Sequence, residues 1–178
     1  MTNRENRHWI PVRSERVWAW TALALAAAIV LWGCWSLYQY PASYHTRDFK
    51  FTFKNEGSLA RIAIFAVLAH YAILFLFQNG LVDRWNTVKK WMIAASRLVR
   101  RWHTPAAIIA LALIVLHAIG AVLYGLELNF ENVSGLLALL VLLPVPISGL
   151  FRYRRLDKKW HFRTGLAFAI LFLLHAFF

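Results

Sequence analysis

Long apolar runs separated by short, mostly basic polar clusters set the pattern of this chain. Five runs, at approximately 17–39, 58–82, 104–126, 133–151 and 161–178, are long enough at about 1.5 Å per residue to cross a hydrocarbon layer of roughly 30 Å as helices. The pattern predicts an all-α polytopic membrane bundle of about five transmembrane helices over residues 17–178, behind a basic tail at 1–16. Residues 85–101, WNTVKKWMIAASRLVRR, intersperse Trp85, Val88, Trp91, Met92, Ala95 and Leu98 with basic side chains. They read either as an amphipathic helix in the headgroup layer or as a surface connector. The 40–57 stretch reads as a loop. Thr104-Pro105 has the form of an N-cap followed by Pro at the first helical position, which starts the third span there and leaves His103 just before it. Pro144 and Pro146 are expected to kink the fourth span.

Composition supports a membrane setting. Of 178 residues, 60% are apolar and 16% are charged, against roughly 25% charged in soluble proteins. A formal net charge of +12 would suit nucleic acid if it were spread over one surface, but it lies in clusters between the spans, where it sets orientation. Arg4, Arg7, Arg13 and Arg16 precede the first span, and Arg84, Lys89, Lys90, Arg97, Arg100 and Arg101 lie between the second and third. Arg152, Arg154, Arg155, Lys158 and Lys159 lie between the fourth and fifth, whereas residues 127–132 carry only Glu127 and Glu131. This bias places the N-terminus in the cytoplasm and the C-terminus outside. Most Trp and Tyr residues fall near span ends, as interfacial belts do. One cysteine, Cys34, excludes an internal disulfide and a multi-cysteine metal or iron–sulfur site. Leu31-Trp32-Gly33-Cys34 has the outline of a lipoprotein cleavage box, but Trp32 fits it poorly and the apolar run is long for a signal core, so the first span is expected to be retained.

The chemistry lies in a repetition. RRWHTPAAIIALALIVLHA at 100–118 is echoed by KKWHFRTGLAFAILFLLHA at 158–176, each with two His fourteen residues apart. At 100° per residue the two members of each pair lie roughly 40° from eclipsed and about 21 Å apart along the axis. One span separates the two segments, so they run parallel. In register, His103 faces His161 near the cytoplasmic surface and His117 faces His175 near the outer one. Two such pairs are what two stacked b-type haems require, each iron taking one imidazole from each helix. Arg100, Arg101, Arg154, Arg155, Lys158, Lys159 and Arg163 lie where the propionates of an inner haem would emerge, and Arg47, Lys50 and Lys54 where those of an outer one would. Ala106, Ala107, Ala118, Gly120, Gly165 and Ala176 are small enough to admit a flat macrocycle, and equally suit plain helix packing.

Trp102-His103 with Leu116-His117-Ala118, and His161-Phe162-Arg163-Thr164-Gly165 with Leu174-His175-Ala176, resemble the paired His motifs of the ferric-reductase-like transmembrane domain superfamily. That group includes NADPH oxidases, metalloreductases and the haem-binding membrane subunit of bacterial methionine sulfoxide reductase systems. The similarity covers roughly residues 58–178. It implies haem ligation by His103 and His161 on the inner side and by His117 and His175 on the outer side. Many family members have a sixth span or a fused flavin and nicotinamide domain. This sequence has no GxGxxG and ends three residues after His175, so electrons are expected from a partner redox subunit, a soluble carrier or quinol. The bc-type cytochrome b also pairs His about four turns apart, but on its second and fourth spans.

The expected function is a dihaem cytochrome b of the bacterial cytoplasmic membrane, passing electrons to an extracytoplasmic acceptor as a subunit of a larger reductase. The alternative is a haem-free scaffold or assembly subunit whose His merely pack. His70, inside the second span, reads as a buried polar contact, with a quinone-site residue, an extra ligand or a proton relay as its other readings. His45 is expected in the outer loop and His8 in a solvated tail. The orientation is checked by fusing reporters to the C-terminus: alkaline phosphatase is expected to be active there and a cytoplasm-restricted fluorescent protein dark.

Overall fold

The computed structural model describes residues 10, 12–39, 44–153 and 158–178. Much of the basic tail, including Arg4, Arg7 and His8, and also Arg154 and Arg155, lie outside the described residues. The described chain is helical: α1 (Arg13–Tyr38), α2 (Arg47–Gln78), α3 (Asn86–Tyr124), α4 (Phe130–Leu142), α5 (Pro144–Tyr153) and α6 (Lys158–Phe177). Five segments are long and apolar enough to cross a membrane, with α4 and α5 together forming the fourth. The polytopic all-α reading therefore holds.

Two compact units are present. Among the described residues, one lies within Val17–Gly125 and the other within Leu126–Phe178, joined by those before Val17. In the first, α2 and α3 pair as an antiparallel hairpin, and α1 runs parallel to α3, with Trp18 4.8 Å from Trp102 between ring centroids and Gly33 against Leu116. The seam of α1 is made of Ala19, Ala22 and Ala26, while Leu31 and Trp32 stay more than 70% exposed. Small residues inside and large apolar residues outside are the arrangement of helices solvated by lipid. In the second unit α4 and α5 run antiparallel to α6, whose inner stripe carries His161, Phe168 and Phe172.

Three boundaries differ from the sequence reading, each for an identifiable reason. Helix α2 begins at Arg47, so residues 47–57 are helix and not loop. Thr46 caps it by accepting from the Phe49 N–H at 3.2 Å, with Asp48 in the first turn. Phe49 and Phe53, 0% and 5% exposed, anchor this charged segment to Leu37, Ile119 and Tyr124, while Arg47, Lys50 and Lys54 stay exposed. Second, α3 runs unbroken through Thr104-Pro105, so His103 is inside the helix and not before it. Pro105 removes only the donor that would have met the Arg101 carbonyl. Third, residues 86–101 are the first turns of α3, a helix of 39 residues or about 58 Å. The Pro144 break does occur: α4 stops at Leu142 and α5 starts at Pro144, with Leu143 between them still right-handed helical (φ −53, ψ −46).

The α2–α3 contact is close enough that a Cβ on Gly120 would overlap the Phe53 Cβ, which cannot swing away. Gly120→Val is therefore expected to destabilise the fold by about 1–3 kcal/mol through overpacking, read as a lowered thermal midpoint of the detergent-solubilised protein.

Candidate functional site

The four repeated histidines share one environment. Each imidazole Nδ1 donates to a main-chain carbonyl of the helix packed against its own: His103 to Val67 at 3.2 Å, His117 to Phe53 at 2.8 Å, His161 to Val145 at 3.1 Å and His175 to Glu131 at 2.9 Å. A carbonyl oxygen only accepts, so in each of these contacts Nδ1 carries the proton and Nε2 is the ring nitrogen turned away from the carbonyl. Ligand imidazoles are oriented in this way when a carbonyl or carboxylate holds the nitrogen opposite the metal.

The acceptors repeat as well. Phe53 and Val67 are fourteen residues apart on α2, and Glu131 and Val145 are fourteen apart across α4 and α5, matching the interval on α3 and α6. Antiparallel pairing at constant register maps one interval onto the other. Inside a helix each of these carbonyls also faces the N–H four residues ahead, so the imidazole approaches beside that residue. At three of the four sites it is glycine. A Cβ on Gly57 would lie 2.7 Å from His117 Nδ1, one on Gly135 2.8 Å from His175 Cε1, and one on Gly149 3.3 Å from His161 Cε1. The fourth is Tyr71, whose ring meets His103 edge-on at 5.8 Å, and there the Nδ1 contact is the longest.

Three residues after each acceptor stands a polar side chain: Glu56, His70, Ser134 or Ser148. The Ser148 hydroxyl donates to Val145 O at 2.8 Å and lies 3.1 Å from His161 Nδ1; Ser134 donates to Glu131 O at 3.0 Å and lies 3.4 Å from His175 Nδ1. His70 is buried, its ring 6.2 Å from His103 and 5.9 Å from Tyr71. His45 stands at the end of α3, edge-on to Tyr124 at 5.9 Å. Gly57, Gly135, Gly149, Ser134 and Ser148 escaped the sequence reading. Their signal was present in the Ser-Gly dipeptides at 134–135 and 148–149, fourteen residues apart.

Other residues expected at the site are placed less closely. Arg100, Arg101, Lys159 and Arg163 are exposed, and the Lys50 ammonium lies 5.2 Å from the Tyr124 ring centroid. Gly120 serves the contact with Phe53, whereas a Cβ on Gly165 would meet nothing within 4 Å. Among the described residues no group of three or more His, Cys, Asp or Glu gathers into a metal cage. Each hairpin thus holds two imidazoles at a fourteen-residue interval with Nδ1 engaged by a main-chain carbonyl. No family model, curated protein or solved structure matches the chain.

Gly57→Val and Gly135→Val are expected to push His117 and His175 off their carbonyls. Each lowers the thermal midpoint by an amount corresponding to about 1–3 kcal/mol, measured on the solubilised protein against Gly165→Ala, which introduces no such overlap.

Proposed function

We propose that the chain is a membrane dihaem b-type cytochrome, similar to the ferric-reductase-like group. His103 and His161 hold one haem and His117 and His175 the other. The observation that carries this reading is the common geometry of four imidazoles, each held through Nδ1 by a main-chain carbonyl, at matched fourteen-residue intervals. Packing histidines need only some partner, and four would not be expected to adopt one geometry at one spacing.

In this reading the protein supplies orientation and exclusion of water. The Nδ1–H bonds fix each ring plane and raise the basicity of Nε2. With two imidazoles on each iron, no ligand site would be left open, which would favour one-electron transfer over oxygen binding. Arg100, Arg101, Lys159 and Arg163 supply cations for the propionates at one end and Arg47, Lys50 and Lys54 at the other. The bound haem contributes a reversible ferric/ferrous couple. The chain thereby carries electrons across a bacterial cytoplasmic membrane, from a cytoplasmic or quinol donor to an extracytoplasmic acceptor, with a partner redox subunit completing the reductase.

The test is a dithionite-reduced minus oxidised spectrum with a pyridine haemochrome count. About two low-spin b haems per chain are expected, falling to about one in His117→Ala or His175→Ala. A haem-free wild-type protein, or unchanged haem in these variants, would overturn the reading in favour of a scaffold.

A further inference from the structure

Helix α2 carries charge deep into its apolar span. Arg47, Lys50, Lys54 and Arg61 are all exposed, and at 100° per residue they fall within an arc of about 60° on one flank of the helix. Three of them belong to the polar start of α2. Arg61 does not: it follows Gly57 by one turn, within a segment apolar enough to span the membrane. Its Cα lies about 12 Å along the axis from Phe53 and about 9 Å from Val67, the residues whose carbonyls hold His117 and His103. It therefore stands at a depth between the two imidazole levels. Charged side chains at such depth are rare and mark functional positions. No counterpart exists in the second hairpin, where the residue eight positions after Glu131 is Leu139.

The level of each ring along α2 is set by what it packs against: His117 lies beside Gly57 and His103 meets Tyr71. Gly57 is the residue whose missing side chain admits the His117 ring. Along the axis Arg61 is about 6 Å from Gly57 and about 15 Å from Tyr71, so it stands nearer the His117 level.

We infer that Arg61 is the electrostatic positioning residue of the His117 site, a fixed positive charge that raises the midpoint potential of the haem held there above that of its neighbour. This rests on the proposed dihaem reading. Each reduction adds one electron and moves no bond, so the reduced state is more negative by one charge and is favoured by a nearby cation. A unit charge about 10 Å away, at an effective dielectric near 20, shifts a one-electron equilibrium by more than tenfold. Electrons entering at the His103 level would accordingly run downhill to the His117 level.

The experiment is a spectroelectrochemical titration of the purified, haem-loaded protein, comparing wild type with Arg61→Gln and Arg61→Lys. Two b-haem components are expected in the wild type. In Arg61→Gln both haems are retained and the higher component falls by at least a tenfold change in its reduction equilibrium, about 59 mV for one electron. Arg61→Lys keeps the charge and stays close to wild type. An unchanged higher component in Arg61→Gln, or a fall in Arg61→Lys as large as in Arg61→Gln, overturns this inference while leaving the dihaem reading intact. A wild-type protein without haem overturns both.

Discussion

An imidazole N–H inside a hydrocarbon layer must find an acceptor, and in this chain four of them find main-chain carbonyls on a neighbouring helix. Much of the architecture follows from that requirement. A carbonyl within a helix lies beneath the side chains of the next turn, so the ring reaches it only where that turn is cut away. Glycine does this at 57, 135 and 149. The hairpins must also keep one register along their length, since a slip by a single residue would move both rings of a helix away from their acceptors. Each such bond contributes only about 1 kcal/mol net. Their specificity for register matters more than their strength.

The two hairpins satisfy the same requirement with different chemistry. From Val67 to His103 the chain takes twenty residues more than from Val145 to His161. Shared between two antiparallel helices, this lengthens the α2–α3 hairpin by about 15 Å on each arm, which accounts for helices of 32 and 39 residues beside an α6 of 20. The added part carries Arg84, Lys89, Lys90 and Arg97, with Lys89 bonded to Asp83 at 2.8 Å. The polar positions beside the histidines differ too. Ser134 and Ser148 are neutral hydroxyls that donate to the shared carbonyl, whereas α2 places Glu56 and His70 at the equivalent points. Tyr71 replaces glycine at the site with the longest Nδ1 contact.

The spans and the four histidines were legible because both signals are long-range regularities: runs of twenty apolar residues, and one interval repeated on two of them. Boundaries were not. Arg47, Lys50, Lys54 and Glu56 make the start of α2 look like a loop, and only the burial of Phe49 and Phe53 against α3 makes it a helix. Local capping chemistry at Thr104-Pro105 pointed to a helix start, yet α3 continues because losing one donor is outweighed by the packing on either side. The hydrogen-bond partners of the histidines were hidden for another reason. They are backbone atoms and carry no residue signature. Only the glycines that uncover them leave a mark in the sequence, and glycine in a membrane helix has many other uses.

The same bonds have a further consequence for the proposed function. The four Nδ1–carbonyl contacts each lie within one hairpin, His103 and His117 bonding to α2, His161 and His175 to α4 and α5. Each of these bonds orients its imidazole within the hairpin that carries it. An ordinary ligand side chain loses rotamer freedom when a metal arrives; in the proposed dihaem reading that loss would be incurred when the hairpin forms, so less binding energy would be spent on ordering the site. The main-chain acceptors add a second property. A substitution at Phe53, Val67, Glu131 or Val145 alters the side chain but leaves the carbonyl in place, whereas a substitution at Gly57, Gly135 or Gly149 closes access to it. Sensitivity at the site is thus displaced from the residues that make the bond to the residues that make room for it.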